Sequence, residues 1–145
     1  MANPEPVFRW PLRVYYEDTD LSGVVYHANY LKFFERARTE WLRALGCSQE
    51  RLRDEVQVVF TVSRVEVAFL KPARLDDALE AMVTVVEQRR ASLGLHQALW
   101  RVGAAPLLLA TAEVRVACVD AVRFKPVALP EGLRARIAAA APASC

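Results

Sequence analysis

Residues 15–45 read YYEDTDLSGVVYHANYLKFFERARTEWLRAL, and the fold is decided in this stretch. From position 28 to about position 45 the apolar residues Tyr30, Phe33, Phe34, Ala37, Trp41, Leu42 and Leu45 recur at helical spacing, while Lys32, Glu35, Arg36, Arg38, Glu40 and Arg43 fill the other face. Gly46 follows as the natural C-cap. The charged face predicts pairs such as Arg36 with Glu40 at i, i+4. Ahead of the helix, a strand is predicted over 12–17, with Leu12, Val14 and Tyr16 on one face. Between them lies a turn with acids and a glycine.

Beyond the helix, a short second helix over 48–55 with Ser48 as N-cap is expected, and then strands. Val58, Phe60 and Val62 alternate, after which the phase slips to Val65, Val67 and Phe69, which predicts a bulge near Ser63 and Arg64. Leu79, Ala81, Val83 and Val85 mark a further strand, Leu93, Leu95 and Leu99 another, and residues 108–118 a last one. Residues 89–92 and 103–106 read as hairpin turns. One strand, one long helix, then four hairpin-connected strands is an α+β fold with an antiparallel sheet of about five strands. A helix of about eighteen residues, roughly 27 Å long, matches the width of such a sheet and can lie across it. Several strands are apolar on both faces, as at Leu107, Leu108 and Leu109, so a second copy of the chain is expected to bury part of that surface.

The chain has 145 residues, enough for one domain over residues 1–145, with 138–145 expected as a frayed tail. Nineteen basic against 17 acidic side chains leave +2, which argues against nucleic acid or an anionic membrane as the main partner. Cys47, Cys118 and Cys145 form no C-x-x-C pair and read as reduced thiols rather than a disulfide frame or metal site. With no signal-like N-terminal pattern and no apolar run of membrane length, the expected location is cytoplasmic.

The chemistry points to the turn. Asp18 and Asp20 stand a few residues ahead of a helix N-terminus, where free backbone N–H groups can polarise a carbonyl oxygen. A carboxylate in that place outlines an ester or thioester hydrolase, acting as nucleophile or as the base that activates water. Spacing alone leaves a second reading open, in which both acids are turn formers bonded to nearby backbone. Gly23 suits a sharp turn and a close substrate approach. His27 begins the helix. No serine elbow or cysteine–histidine pairing lies beside it, which speaks against a Ser or Cys nucleophile.

The runs Phe8-Arg9-Trp10-Pro11-Leu12-Arg13-Val14-Tyr15-Tyr16-Glu17-Asp18-Thr19-Asp20, Gly23-Val24-Val25-Tyr26-His27 and Glu35-Arg36-Ala37-Arg38-Thr39-Glu40, with Pro72-Ala73-Arg74-Leu75-Asp76-Asp77 and Cys118-Val119-Asp120, resemble the Tol-Pal-associated acyl-CoA thioesterases of the YbgC type, within the 4-hydroxybenzoyl-CoA thioesterase family. The resemblance spans nearly the whole chain. It implies a hotdog fold, the sheet wrapped around one central helix, and homodimers commonly paired into tetramers. It implies acyl-CoA as substrate, with no cofactor, CoA being part of the substrate, and no metal. It places the catalytic aspartate at Asp20 and the carbonyl-polarising backbone N–H at His27, whose imidazole could also help in positioning or proton transfer. Gly23, Val25, Tyr26 and Tyr30 become substrate-binding residues, although Tyr26, Tyr30, Phe34 and Phe60 could equally be core. Arg89, Arg90 and Ser92 resemble the basic turn that holds the CoA phosphates, with Ala91 where the hydroxybenzoyl enzyme has a lysine. Glu35 is the alternative catalytic carboxylate, since a second hotdog subgroup carries its acid on this helix.

Two other functions compete. A hotdog dimer could be a non-catalytic docking partner for envelope or lipid-synthesis proteins, and acyl carrier or envelope-system proteins are the expected protein partners. A hotdog hydratase or dehydratase is disfavoured because no Pro-Gly-rich loop accompanies the histidine.

Overall fold

In the computed structural model, which describes residues 7–139, the chain runs through β1 (Phe8–Arg13), a 3-10 turn (Tyr16–Asp18) and α1 (Asn29–Ala44). There follow α2 (Gln49–Arg51), which widens into one π-helical turn (Leu52–Val56), then β2 (Val58–Phe69), β3 (Ala78–Gln88), β4 (Ser92–Arg101), β5 (Leu107–Asp120) and α3 (Glu131–Ala138). The strands form one antiparallel sheet in the order β1-β3-β4-β5-β2. Helix α1 lies on one face of it. Tyr30, Phe33, Phe34, Ala37, Trp41 and Leu42 are buried from the helix side, against inward residues such as Leu79, Val83, Leu95, Leu99 and Val114.

The first strand departs from expectation. It occupies Phe8–Arg13 rather than 12–17 and turns Phe8, Trp10 and Leu12 toward the core. Pro11 is tolerated because β1 is an edge strand, pairing only with β3. Val14 is fully buried as expected, but Tyr16 is 83% exposed. The cause is Asp18, whose Oδ2 accepts the Tyr15 N–H at 2.9 Å and folds the next residues into the 3-10 turn. A carboxylate that captures a local N–H diverts the backbone from a ladder.

The strand order corrects a second expectation: only β3–β4 and β4–β5 are hairpin neighbours, whereas β2, expected in hairpin connection with β3, pairs with β5 at one edge and its chain crosses over to reach β3. Within each pair the local pattern follows the sequence. The β2–β5 pairing shifts between Val62 and Arg64, leaving Ser63 as the bulge. Ser48 Oγ accepts the Arg51 N–H at 3.1 Å and caps α2. Gly46 ends α1 at φ +82, where a left-handed residue is needed. Glu40 pairs with Arg43 at 2.8 Å, one turn on, instead of with Arg36. Helix α3 begins seven positions before the tail helix expected from 138 and anchors itself through Leu133, buried to 2%. Residues 140–145, including Cys145, lie outside the described residues.

The two sheet edges differ. Strand β1 is short and carries Pro11, whereas β2 is 12 residues long and pairs on one side only. Along the helix-facing side of β2, Val62 is 44%, Val65 40% and Phe69 51% exposed. A long edge with an uncovered apolar face is a template for another chain.

Candidate active site

Asp20 opens a tight turn in which its carbonyl accepts the Gly23 N–H at 3.0 Å and its N–H donates to the Val24 carbonyl at 3.0 Å. Gly23 sits at φ +84 with open space where a Cβ would stand. The isolated bridge from Thr19 to Val25 closes the turn on itself, and the bridge from Val24 to Arg74 ties it to the loop before β3. The exposed Asp20 carboxylate accepts on Oδ1 from the Ser22 N–H at 2.9 Å and from the Ser22 hydroxyl. Those two bonds, the hydroxyl first, hold its carboxyl below the ordinary aspartate value, with a smaller attraction from His27 in the same direction. Asp20 is therefore both a turn former and an ionised group facing solvent.

Asp18 has a different place. It is 4% exposed, and its Oδ1 accepts from Asn29 Nδ2 at 2.9 Å, fastening the 3-10 turn to the first residue of α1. The Asp18 carbonyl also accepts the Tyr26 N–H at 2.9 Å. The 3-10 turn, not strand alternation, buries Asp18. These bonds, with those to the Tyr15 backbone, set the geometry of the segment between Asp20 and the helix.

At the start of α1 the Asn29 N–H donates to the Tyr26 carbonyl and the Tyr30 N–H to the His27 carbonyl. Among the described residues, no protein acceptor takes the His27 N–H. Unsatisfied N–H groups at a helix entrance are the ones that can meet an incoming oxygen. The exposed His27 ring lies 4.7 Å from the Tyr26 ring and 6.3 Å from the Phe69 ring. Tyr26 is half-exposed. Tyr30 and Val25 are buried to 4% and 3%: the Tyr30 hydroxyl accepts the Ala73 N–H at 3.0 Å and the Val25 N–H donates to the Ala73 carbonyl at 2.8 Å. The Tyr30 side chain and the Val25 backbone thus brace the turn against residue 73.

The structure thus brings Asp20, Gly23, Tyr26 and His27 together. It does not bring Arg89, Arg90 and Ser92 to them. The Asp20 turn is bonded to residues 73 and 74, just before β3, whereas Arg89–Ser92 is the hairpin after β3, closed by the Arg89 N–H on the Ser92 carbonyl at 2.9 Å. Strand β3 has 11 residues, which at about 3.3 Å each sets the two places roughly 35 Å apart. Arg89 pairs with Glu87, and both arginines are exposed. Glu35 is on the exposed side of α1, its Oε2 accepting from the Thr39 hydroxyl. Cys118 is buried, which pushes its thiol up to about 11, and Cys47 is buried too, so neither thiol faces the turn as a nucleophile. Among the described residues no cluster of three or more His, Cys, Asp or Glu side chains could hold a metal ion, and no helix is long and apolar enough to cross a membrane. Ser22 and Asn29 were missed in the sequence, although Ser22 stands two positions after Asp20, the spacing of an Asx turn.

The family model described as the thioesterase superfamily matches residues 22–105. The acyl-CoA thioester hydrolase YbgC of Escherichia coli is 50% identical over 127 residues, 88% of this chain and 92% of that protein. The acyl-CoA thioesterase YbgC of Haemophilus influenzae is 48% identical over 128 residues, 88% and 92% of the two chains. A crystal structure of a protein described as a probable thioesterase from Bartonella henselae has a TM-score of 0.80 at 36% identity, covering 86% of this chain and 99% of that one. By its family match, its relatives and its sheet wrapped on a long helix, this chain belongs to the thioesterase superfamily and has the hotdog fold.

Proposed function

We propose that this chain is an acyl-CoA thioesterase that hydrolyses an acyl-CoA thioester to the free acid and CoA. The observation that carries the reading is the ionised Asp20 carboxylate on a rigid turn beside the unpartnered His27 N–H. The named activities of the YbgC relatives agree with it.

The thioester carbonyl oxygen accepts a hydrogen bond from the His27 N–H, which stabilises the oxyanion as the carbonyl carbon becomes tetrahedral. Two routes fit the carboxylate. As general base, Asp20 removes a proton from water, the hydroxide adds to the carbonyl carbon, the C–S bond breaks, and the CoA thiolate takes a proton. As nucleophile, a carboxylate oxygen adds directly, CoA leaves, and water then splits the mixed anhydride. In a single turnover in labelled water, label appearing in the Asp20 carboxylate marks the nucleophilic route, whereas label only in the free acid fits the base or an anhydride opened by water at its acyl carbon.

The phosphate-binding role of Arg89 and Arg90 needs a second copy. Antiparallel two-fold pairing of the free β2 edges sets the Phe69 end of one chain beside the Val58 end of the other. His27 contacts Phe69, while the Arg89–Ser92 hairpin lies at the Phe60 end, where the Ala91 carbonyl accepts the Cys118 N–H and Cys118 pairs with Phe60. Such a homodimer brings the Asp20 turn of one copy to the same end of the joined sheet as the basic hairpin of the other. Guanidinium forks suit the nucleotide phosphates of CoA.

Thiol release over a panel of acyl-CoAs tests the reading. Wild-type protein is expected to turn over at least one member, and Asp20→Asn to lower kcat by at least ~10²-fold with the fold intact. Undiminished turnover by Asp20→Asn together with an inactive Glu35→Gln would move the chemistry to the helix. No thiol release from any acyl-CoA would leave the docking role as the function.

A further inference from the structure

Between α1 and the β2, β4 and β5 strands lies a cavity of about 300 Å³. Trp41, Leu42, Phe60, Leu93, Leu95 and Val116 form its apolar wall.

One wall is not apolar. Arg38 reaches in from α1, and its Nη1 donates to Gln97 Oε1 at 2.9 Å. Gln97 is fully buried in the sheet, and its amide donates in turn to the Phe34 carbonyl at 3.0 Å. A neutral amide is thus the hydrogen-bond partner of a half-buried guanidinium. Among the described residues no carboxylate stands within ion-pair distance of it, although Glu35 exerts an attraction. Burial pulls the Arg38 guanidinium below its usual range, the sign of a charge whose lost hydration is incompletely replaced. Four further N–H donors of the fork remain for a ligand, with the Thr39 hydroxyl and the Glu35 carboxylate at the same cavity.

The cavity stands at the Phe60 end of β2, far from the Asp20 turn of its own chain. In the two-fold pairing described above it is the Asp20 turn of a second copy that comes to this end. We propose that the cavity receives the distal end of the acyl group and that Arg38 makes it selective for aliphatic acyl groups carrying an oxygen there, a hydroxyl or a carboxylate, over methyl-terminated chains of the same length. This inference rests on the thioesterase reading. A buried guanidinium left facing a methyl group keeps its unmet hydration, whereas an oxygen acceptor restores a charge-assisted bond.

The test compares kcat/KM for octanoyl-CoA, ω-hydroxyoctanoyl-CoA and suberyl-CoA, with acetyl-CoA as a substrate too short to reach the cavity. Wild-type protein is expected to favour one or both oxygenated chains over octanoyl-CoA by at least ~10-fold, a carboxylate preference marking an ion pair with Arg38 and a hydroxyl preference marking a bond shared with Glu35. Arg38→Met should abolish or reverse that ratio while leaving acetyl-CoA hydrolysis within about two-fold. Arg38→Gln, which keeps a polar end for Gln97, should also flatten the ratio and decides the matter if the methionine variant does not fold. A wild-type preference for octanoyl-CoA, or an unchanged ratio in the folded variants, overturns the proposal. Hydrolysis of other acyl-CoAs in the panel but of none of these four overturns the proposal and leaves the thioesterase reading standing, whereas failure on the whole panel, acetyl-CoA included, is the failure of the thioesterase reading itself.

Discussion

Ser22 holds Asp20 in two ways, through its N–H and through its hydroxyl, and only the second can be removed by substitution. Hydrogen bonds donated to a carboxylate favour its charged form, so the folded-state value of Asp20 is depressed. Ser22→Ala should raise it toward the ordinary value, and the acid limb of kcat/KM should move to higher pH with it. The carboxyl titration, followed by carbon NMR in both proteins, checks this, and an unchanged or lower midpoint in Ser22→Ala contradicts it. Because Asp20 is wholly exposed, the shift reports on readiness for chemistry and not on stability. Asp18 is buried with bonds to the Tyr15 N–H and Asn29 Nδ2, and Asp18→Ala leaves those donors without an acceptor. A loss of about 1–3 kcal/mol in denaturant unfolding is expected, and an unchanged midpoint would show that the two bonds contribute nothing.

At the scale of elements, the segment from the end of β1 to the start of α1 works as one bracket. Asp18 ties the 3-10 turn to Asn29, Val25 and Tyr30 tie the next residues to Ala73, and the bridge from Val24 to Arg74 closes the frame. The carboxylate of Asp20 and the N–H of His27 are held relative to each other by bonds that involve neither group. Tyr30→Phe deletes the acceptor for the Ala73 N–H and keeps the ring against Phe33 and Phe69. It should cost about 1 kcal/mol in denaturant unfolding and lower kcat more than it raises KM, since a loosened frame misplaces groups needed in the transition state. Equal kcat in the two proteins would show that the frame tolerates that loss.

For the whole molecule the decisive feature is the β2 edge. Its 12 residues present Val62, Val65 and Phe69 to solvent on the helix side, and the basic hairpin proposed above to hold the CoA phosphates is at the opposite end of β3 from the Asp20 turn of its own chain. Placing a lysine at the centre of that face, Val65→Lys, should turn a homodimer into a monomer at micromolar concentration, because an inward charge blocks edge pairing. Sedimentation reads the assembly and thiol release the consequence: CoA thioester hydrolysis should fall by at least ~10-fold as the composite site comes apart. A wild-type protein already monomeric and fully active would refute the two-fold arrangement.

Local pattern determined a good deal by itself. The period of α1, the alternation and phase slip of β2, both hairpins and the Gly46 cap were legible because each depends on neighbours within a turn or a strand pair. The carboxylate, glycine and histidine ahead of the helix were legible as a chemical set for the same reason. What the sequence could not determine rests on contacts between distant residues. That β1 ends at Arg13 follows from the buried Asp18 reaching both Tyr15 and Asn29. That Tyr30 braces a loop follows from a bond to a residue 43 positions away, and that Arg38 has an amide for a partner follows from Gln97, 59 positions on. Above all, the distance between Asp20 and Arg89 is set by β3, which runs from the loop that holds the Asp20 turn to the basic hairpin and so separates two motifs that look like parts of one site. Periodicity reports which face a residue takes; only the tertiary structure decides what that face meets, because burial and hydrogen bonding join residues without regard to their separation along the chain.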